Sequence, residues 1–380
     1  MSSENLQSID MPDKNNSITI KEWNEIQFRD SKIEWTQLLN KSNSDKLFMS
    51  WEWQYTWWDI FAAHNKLKLT LLAAYNENQM LVGLAPLFLI KARTKKLIKT
   101  TQLQFIGNIW RGEDTMRTEY LDFIVSPENS LSIKKTFLRY INNNITWDEF
   151  YFSDLNKSSS THDLITKKNI LTNVYTRTME EYKSYYLDTS KEFNNYLSER
   201  GKNTRSNLYN KRKKLESKGE VKVTKSSINQ IEEHFTLLNT LHKKRWGKSV
   251  FNDKTLKFNT QLAKKMAERN ALNFSVMSIN EQPLSIQLNY IVNQYEYNIQ
   301  GGFDEIFDKR LALGYLHTGY EIERAFKNEI LIFDFLAGEG KNTQYKERLT
   351  NTYHNITQLQ IIKKNSLKTL YAIKDFLTKL

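Results

Sequence analysis

Two acidic residues of this 380-residue chain stand in apolar surroundings, where a carboxylate must be paired or put to chemical use. Asp122 lies in the run YLDF at 120–123, and Asp334 alternates with two phenylalanines in a predicted strand. For Asp122 two interpretations stay open: a general base or substrate-binding group, or one half of a structural salt bridge. Asp334 is predicted to be structural.

A basic stretch in the middle of the chain supplies groups that bind anions. Asn203 and Arg205 belong to a predicted helix over 203–216 that also contains a run of four basic residues at 211–214. An arginine can donate a forked pair of hydrogen bonds to a phosphate or carboxylate. The lysines have a second interpretation, in which they simply form the solvent-exposed face of the helix. Further on, Arg245 and Trp246 precede Gly247, which predicts a helix end whose tryptophan stacks on a ligand or caps the core.

Several kinds of chemistry are excluded by composition and motif. The chain has no cysteine, so disulfides, thiolate nucleophiles and cysteine-bound metals are excluded, and a reducing compartment is expected. There is no Gly-rich loop ending in Gly-Lys-Ser/Thr, no paired-histidine zinc helix and no Gly-x-Ser-x-Gly elbow. The six histidines are scattered, and no metal is predicted.

The formal net charge of +12 has two interpretations. It indicates an anionic partner, or it only keeps the protein soluble. Residues 1–16 are polar and are predicted to be a disordered tail without the pattern of a secretory signal. The longest apolar run, 81–90, is about half of a membrane span and is predicted to be a buried strand. A cytoplasmic protein with no membrane span is therefore expected.

The predicted elements occur twice in the same order, which indicates two related α/β units. The first half begins with an aromatic helix at 51–61. It continues with a hairpin at 67–90, strands at 97–106 and 120–125, a helix at 131–141 and a strand at 147–152. The second half repeats this order with a hairpin at 272–292, a strand at 294–300, a helix at 311–326 and a strand at 330–336. We predict domains at 17–187 and 188–380, with a helical insertion at 188–270.

Seven short blocks occur in the order typical of one enzyme family. They are FMSWEW at 48–53, GLAPL at 83–87, EYLDF at 119–123, NTRSNL at 203–208, LHxxRWG at 241–247, GGFD at 301–304, and DFLAG at 334–338 followed by YKxR at 345–348. The chain thus resembles the CelD/BcsL (BioF2-like) acetyltransferases of the GNAT superfamily, which are related to the Fem-type peptidyltransferases. This implies an α/β (α+β) fold of two tandem GNAT-like domains, each a mixed central sheet flanked by helices.

The resemblance implies where an acyl donor would bind. In GNAT enzymes a splayed strand holds the acyl carbonyl, and the next helix turns its N-terminus toward the pyrophosphate of the donor. Here that region contains Gly301, Gly302, Arg310, Leu313 and Gly314. The usual Gly-rich pyrophosphate loop is replaced by residues 309–314 with a single glycine. The glycines are also explained by turns and packing.

The resemblance also implies roles in catalysis and acceptor binding. Lys346 matches a lysine that lies next to an aromatic residue in the Fem-type proteins and stabilises the oxyanion, and Tyr345 is a candidate acid. The alternative is a surface turn. With Asp122 as the third candidate catalytic residue, the acceptor is expected to contact Tyr120, Asn203, Arg205, Arg245 and Trp246.

The expected activity is N-acyl transfer from acyl-coenzyme A (acetyl-coenzyme A) or an acyl-carrier protein to an amine of a sugar, amino acid or peptide. The donor would bind in the second half and the acceptor in the first. Two alternatives stay open: a Fem-like ligase that uses aminoacyl-tRNA, and a binding protein with a degenerate GNAT site. The long helical arm typical of the tRNA-using relatives is not visible in this sequence, which favours a thioester donor.

Overall fold

The computed structural model describes residues 18–94, 97–110, 112, 115–168, 170–338 and 341–377, and for 341–343 only the backbone. Within this part of the chain, thirteen strands form one mixed sheet with helices on both faces. Gly83 lies against Ile133 of one helix, whereas Phe88, which points to the opposite face, stacks on Trp57 of another. The predicted mixed α/β class is confirmed.

The first half of the chain forms one wing of the sheet. Its elements are β1 (Thr19–Trp23), α1 (Glu25–Asp30), α2 (Lys32–Lys41), α3 (Trp51–Phe61), β2 (Lys68–Tyr75), β3 (Leu81–Thr94), β4 (Ile98–Phe105), β5 (Ile124–Val125), α4 (Ser130–Asn144), β6 (Glu149–Asn156) and α5 (Ser160–Thr166). Helix α3 begins where the Ser50 side chain accepts a hydrogen bond from the Trp53 N–H, and its buried tryptophans fill the core as predicted.

The second half forms the other wing. Its elements are β7 (Tyr175–Asp188), α6 (Phe193–Ser198), α7 (Lys202–Arg205), a π-helical turn (Ser206–Asn210), α8 (Arg212–Glu216), β8 (Val221–Lys225), a 3-10 turn (Ile228–Gln230), α9 (Ile231–Trp246), α10 (Asp253–Glu268), β9 (Leu272–Ile279), β10 (Gln282–Val292), β11 (Tyr295–Phe303), α11 (Leu313–Lys327), β12 (Ile332–Ala337), α12 (Lys341–Leu349), β13 (Thr352–Ile362) and α13 (Asn365–Leu377).

The two wings meet at strands β7 and β13, which pair with each other over their whole length. The strand order is β1-β2-β3-β4-β6-β13-β7-β12-β11-β10-β9-β8, with β5 beside β3. Strand β13, from the second half, completes the first wing by pairing with β6, while β7 pairs with β12 of the second wing. Strand β7 thus follows the first wing in the chain but closes the second, and β13 follows the second wing but closes the first.

The structure differs locally from the predicted elements. The single helix predicted over 203–216 is divided by the π-helical turn, and of the run 120–125 only two residues form a strand. Strands β7 and β8 were not predicted, so the segment 188–270 contains a strand besides its helices. The domain boundary at 187/188 stays a prediction, since the sheet is continuous across it, and the tail 1–16 lies outside the described residues.

None of the described helices combines the length and the apolar composition that a bilayer crossing requires. The run 81–90 lies in strand β3, as predicted.

Candidate active site

The candidate site lies where β11 and β12 separate. These parallel strands pair over three positions only, ending at Tyr297 opposite Asp334. Beyond this point β12 contains a bulge against β7, and Leu336 takes a left-handed conformation with φ of 62°. Beyond Tyr297, β11 has no partner on the β12 side. A gap thus opens in the sheet, as the GNAT resemblance implies for the central strand.

Asp334 and Tyr120 join the two halves of the chain at this gap. The Tyr120 hydroxyl donates a 2.8 Å hydrogen bond to Oδ2 of Asp334 and lies 2.6 Å from the hydroxyl of Ser184 on β7. The other carboxylate oxygen of Asp334 accepts the N–H of Leu336 at 2.7 Å. Tyr120 also takes a left-handed conformation, with φ of 54°, so the loop before β5 is held in a specific shape.

Glu119 brings a second buried carboxylate to the same place. Its Oε2 accepts the N–H of Ala337 at 2.9 Å and lies 3.5 Å from the Ser184 hydroxyl. Arg117, two residues earlier, binds Asp154 on β6 through its Nε at 2.9 Å and its Nη2 at 2.5 Å. Residues 117–120 therefore cross from a polar cluster in the first wing to the gap in the second.

Lys346 lies beneath the end of β12 and is buried. Its Nζ donates to the carbonyls of Leu336 and Ala337, both at 2.9 Å. The predicted catalytic lysine is thus placed within the backbone of the gap and close to the charges of Glu119 and Asp334. Its neighbour Tyr345 contacts Tyr315 of α11, with ring centroids 6.1 Å apart.

Burial sets the proton affinities of these groups. Loss of solvation raises the pKa of Asp334 to about 7, aided by the charge of Glu119 and opposed by the hydrogen bond from Tyr120. Loss of solvation also lowers the pKa of Lys346 to about 8, opposed by the two carboxylates, and raises the pKa of Tyr345 to about 12. An acid and an ammonium that both titrate near neutrality are suited to proton transfer.

A third carboxylate approaches from the first half. Asp45, in the turn before α3, accepts the N–H groups of Leu47 and Phe48 and the hydroxyl of Tyr297. Burial raises the pKa of Asp45 to about 6. The ring of Phe48 lies against both Tyr120 and Tyr297, so the block at 48–53 forms one wall of the site.

The residues predicted for the donor meet at the far end of β11. The aromatic ring of Phe303 lies under the guanidinium of Arg245 at 4.4 Å, and a Cβ on Gly314 would lie 2.7 Å from this ring. A Cβ on Gly302 would lie 3.0 Å from Leu238 of α9, whereas Gly301 is exposed. Gly302 and Gly314 therefore have a packing role, whatever else they bind.

The first turn of α11 has the properties of an anion site. Among the described residues, the N–H groups of Leu313, Gly314 and Tyr315 have no hydrogen-bond acceptor. This turn lies between the end of β11 and Tyr345, since Tyr315 contacts the latter. Arg310 is exposed and bound to Asp308 at 3.1 Å, and so the charge next to the turn is partly neutralised.

The predicted acceptor residues are divided among three places. Tyr120 lies in the site itself. Trp246 is exposed at the end of α9, where Arg245 packs on its ring at 4.6 Å. Asn203 is exposed on α7, and Arg205 is half-buried with its Nη1 bound to the carbonyl of Ser198. No described contact joins Asn203 or Arg205 to Tyr120.

Asp122 has a full set of partners elsewhere. Its carboxylate binds Lys134 of α4 at 3.1 Å, the hydroxyls of Ser159 and Thr161 at the start of α5, and the N–H of Phe123. This is the structural salt bridge that the sequence left open as an alternative. Whether Asp122 also takes part in catalysis stays a prediction. Asp334, which the sequence predicted to be structural, lies at the gap itself.

The sequence did not single out Glu119, Ser184, Asp45, Tyr297 or Arg117. Glu119 stands next to Tyr120 in a family block, and that block was the available signal. Ser184 lies on a strand that carries alternating polar residues and that was not predicted at all.

A comparison of sequence families agrees with this geometry. Residues 202–347 match the family model described as an acetyltransferase (GNAT) domain. The match begins at α7 and ends just after Lys346, so it includes β11, α11 and β12. No curated protein matches the chain.

Solved structures share the fold of nearly the whole chain. FemX is 12% identical, covers 89% of this chain and 98% of its own, and superposes with a TM-score of 0.61. L-PGS from Bacillus licheniformis is 10% identical, covers 91% and 93% of the two chains, and has a TM-score of 0.51. The C-terminal domain of a putative lysylphosphatidylglycerol synthetase from Agrobacterium fabrum is 7% identical, covers 92% and 96%, and has the same score of 0.51.

Proposed function

Because this chain is a transferase of the GNAT superfamily with its acetyltransferase domain at residues 202–347, we propose that it transfers an acyl group from a thioester to an amine. The observation that carries the proposal is the buried group of Asp334, Tyr120 and Lys346 at the gap between β11 and β12. The donor is acyl-coenzyme A or an acyl-carrier protein. The acceptor is an amine of a sugar, amino acid or peptide.

In the proposed reaction the amine nitrogen attacks the thioester carbonyl, a C–N bond forms and the C–S bond breaks. Asp334 receives the proton that the nitrogen loses, and Tyr120 orients the carboxylate through its hydrogen bond. Lys346 stabilises the negative charge on the carbonyl oxygen. Tyr345, whose hydroxyl retains its proton at neutral pH, returns a proton to the leaving thiolate.

The start of α11 supports a phosphorylated donor. The three N–H groups that lack an acceptor among the described residues, together with the positive end of the helix dipole, bind a pyrophosphate, and Arg245 adds a positive charge at the end of β11, where it packs on Phe303. Gly301, Gly302, Leu313, Gly314 and Arg310 would line this subsite. Thioester chemistry is supplied by the donor when bound; the chain supplies the anion site and the base.

The acceptor is proposed to enter from the side of Tyr120, beneath Phe48. Arg245 and Trp246 would then contact the donor end of the site. Asn203 and Arg205 would contact the acceptor only if it extends beyond the gap, as a peptide does.

The test is a thiol-release assay with acetyl-coenzyme A and a panel of amino sugars, amino acids and short peptides. We expect thiol release that depends on the amine, together with an acylated product of the matching mass. Absence of turnover and of calorimetric binding for acyl-coenzyme A of any chain length, and for acyl-carrier protein, would reject this donor class.

A second candidate is transfer of an aminoacyl group from tRNA. The observation that favours it is the FemX fold over 89% of the chain, together with the net charge of +12. It predicts binding of tRNA that weakens steeply with salt and with glutamate at Lys213 and Lys214, while acetyl-coenzyme A is not turned over.

A further inference from the structure

Helix α13 carries apolar side chains on two opposite faces. Its inner face packs Leu367 and Tyr371 on the sheet, and Asp375 is bound by Arg177 through two hydrogen bonds of 2.7 Å and 2.6 Å. The outer face carries an outer apolar stripe of four residues at helical spacing, namely Leu370, Ile373, Phe376 and Leu377. Ile373 is 56% exposed, Phe376 64% and Leu377 63%.

Such a stripe is unusual for a helix that is already docked. The solvent face of a surface helix is normally polar, and its apolar residues point to the core. Here the core-facing positions are occupied by Leu367 and Tyr371, and the outer stripe lies outside the hydrophobic clusters of the described residues. Contiguous exposed apolar side chains mark an interaction surface.

The β3–β4 hairpin adds a further exposed apolar residue near the start of α13. Ile98 packs on the cluster of Leu367 and Tyr371, and Nζ of Lys364 donates to the carbonyl of Lys99 at 2.8 Å. The hairpin therefore lies beside the start of α13. At its tip Leu97 is 81% exposed, and it adds a fifth apolar side chain.

Basic residues lie in the same two segments as these apolar groups. The described residues of 91–99 and 363–377 include seven lysines and arginines and one acid, Asp375, which is bound to Arg177. The seven are Lys91, Arg93, Lys99, Lys363, Lys364, Lys368 and Lys374. Lys95 and Lys96 lie outside the described residues, whereas Lys91, Arg93, Lys99 and Lys374 are exposed.

We propose that this surface binds the face of an anionic phospholipid bilayer, with the outer stripe of α13 and Leu97 inserted at the level of the headgroups. Lysines around an apolar helix face are the combination that binds anionic lipid, since the charges attract the headgroups and the apolar groups enter the acyl boundary. A second copy of the chain would bring the same positive charge to the contact. A nucleic acid offers phosphates but no apolar interior for Phe376 and Leu377.

The test is co-sedimentation of the full chain with vesicles of phosphatidylcholine, with and without 30% phosphatidylglycerol. We expect binding to the anionic vesicles alone, weakened by high salt. The double variant Ile373→Asp/Phe376→Asp should bind about tenfold more weakly or worse, because two apolar groups are lost. Each of Lys91→Glu, Arg93→Glu and Lys99→Glu should weaken binding by about fivefold or more.

The matched control is Ile26→Asp on α1, whose side chain is 62% exposed and which follows the edge strand β1, away from α13. It should bind like the wild type, and unchanged melting curves should show that all variants fold. Equal binding to neutral vesicles, no binding to anionic ones, or binding that Ile373→Asp/Phe376→Asp leaves intact would overturn the proposal. Tight salt-sensitive binding of RNA that these two changes leave intact would do the same.

Discussion

The two wings of the sheet each place a buried carboxylate beside a short parallel strand pair, but they surround it differently. In the first wing Glu149, at the β4–β6 pair, accepts hydrogen bonds from Thr94, Gln102, Tyr151 and Gln360. In the second wing Asp334, at the β11–β12 pair, accepts hydrogen bonds from just two of the described residues, Tyr120 and Leu336, and Glu119 adds a second negative charge nearby.

This difference shows how one scaffold supports two uses of a buried acid. A buried carboxylate that accepts four hydrogen bonds holds together the strands that supply the donors. A buried carboxylate with two donors and a like charge nearby is a second kind: burial, aided by the charge of Glu119, raises the pKa of Asp334 to about 7. The second kind can exchange a proton at neutral pH.

The largest effect is expected for Asp334→Asn. The amide keeps the shape and can still accept from Tyr120, but it cannot take a proton, so kcat/KM should fall by about 10²- to 10⁴-fold. The melting temperature at pH 8 should not fall, because burying the ionised carboxylate is unfavourable. Glu149→Gln is the matched control and should retain the wild-type kcat/KM; equal losses in the two variants would contradict the comparison.

The dependence of activity on pH should be bell-shaped. As pH rises toward about 7, Asp334 loses its proton and kcat/KM increases tenfold per unit; above about 8, Lys346 loses its charge and kcat/KM decreases. Measurement from pH 5 to 10 tests this. In Lys346→Met the decrease on the alkaline side should disappear, and a profile unchanged by that substitution would remove Lys346 from the reaction.

For Glu149→Gln the expected change is in stability. The amide nitrogen would face donors where a carboxylate oxygen accepts now, which costs about 1 to 3 kcal/mol of unfolding free energy. Urea unfolding monitored by tryptophan fluorescence measures it. An unfolding free energy equal to that of the wild type would show that the hydrogen bonds of the four donors do not require a negative charge at position 149.

The smallest effect is expected for Asp122→Asn. Its ion pair with Lys134 is mostly buried, but the amide oxygen can still accept a hydrogen bond, so the loss should be about 1 kcal/mol of unfolding free energy with kcat/KM within about twofold of the wild type. Steady-state kinetics on the folded variant measures whether kcat/KM is retained. A loss of activity as large as that of Asp334→Asn would restore Asp122 as a candidate base.

The strand and helix order of both halves could be predicted because it is encoded locally. The hairpins at 67–90 and 272–292 combine apolar runs with polar turns, and helix α10 repeats apolar residues at helical spacing. Strand β7 could not be predicted in this way. Its residues Tyr175–Asp188 alternate polar and charged groups, and it is held by partners more than 140 positions away in the chain.

The site was predicted only in part for the same reason. Lys346 and Tyr120 fall in family blocks and do lie at the gap. Asp122 and Asp334 occur in similar local contexts, each next to aromatic residues, and only the tertiary partners distinguish them. Tyr120 and Asp334 are 214 positions apart, and no local pattern records that contact.

The pairing of β7 with β13 has a consequence for how the molecule comes apart. Strand β7 pairs with β12 of the second wing, and strand β13 pairs with β6 of the first wing. The last strand pair of each wing therefore needs both parts of the chain. A fragment that ends before β13 would expose the edge of β6, and one that begins after β7 would expose the edge of β12. Denaturation is therefore expected as one cooperative transition, and severed pieces should regain structure only when mixed.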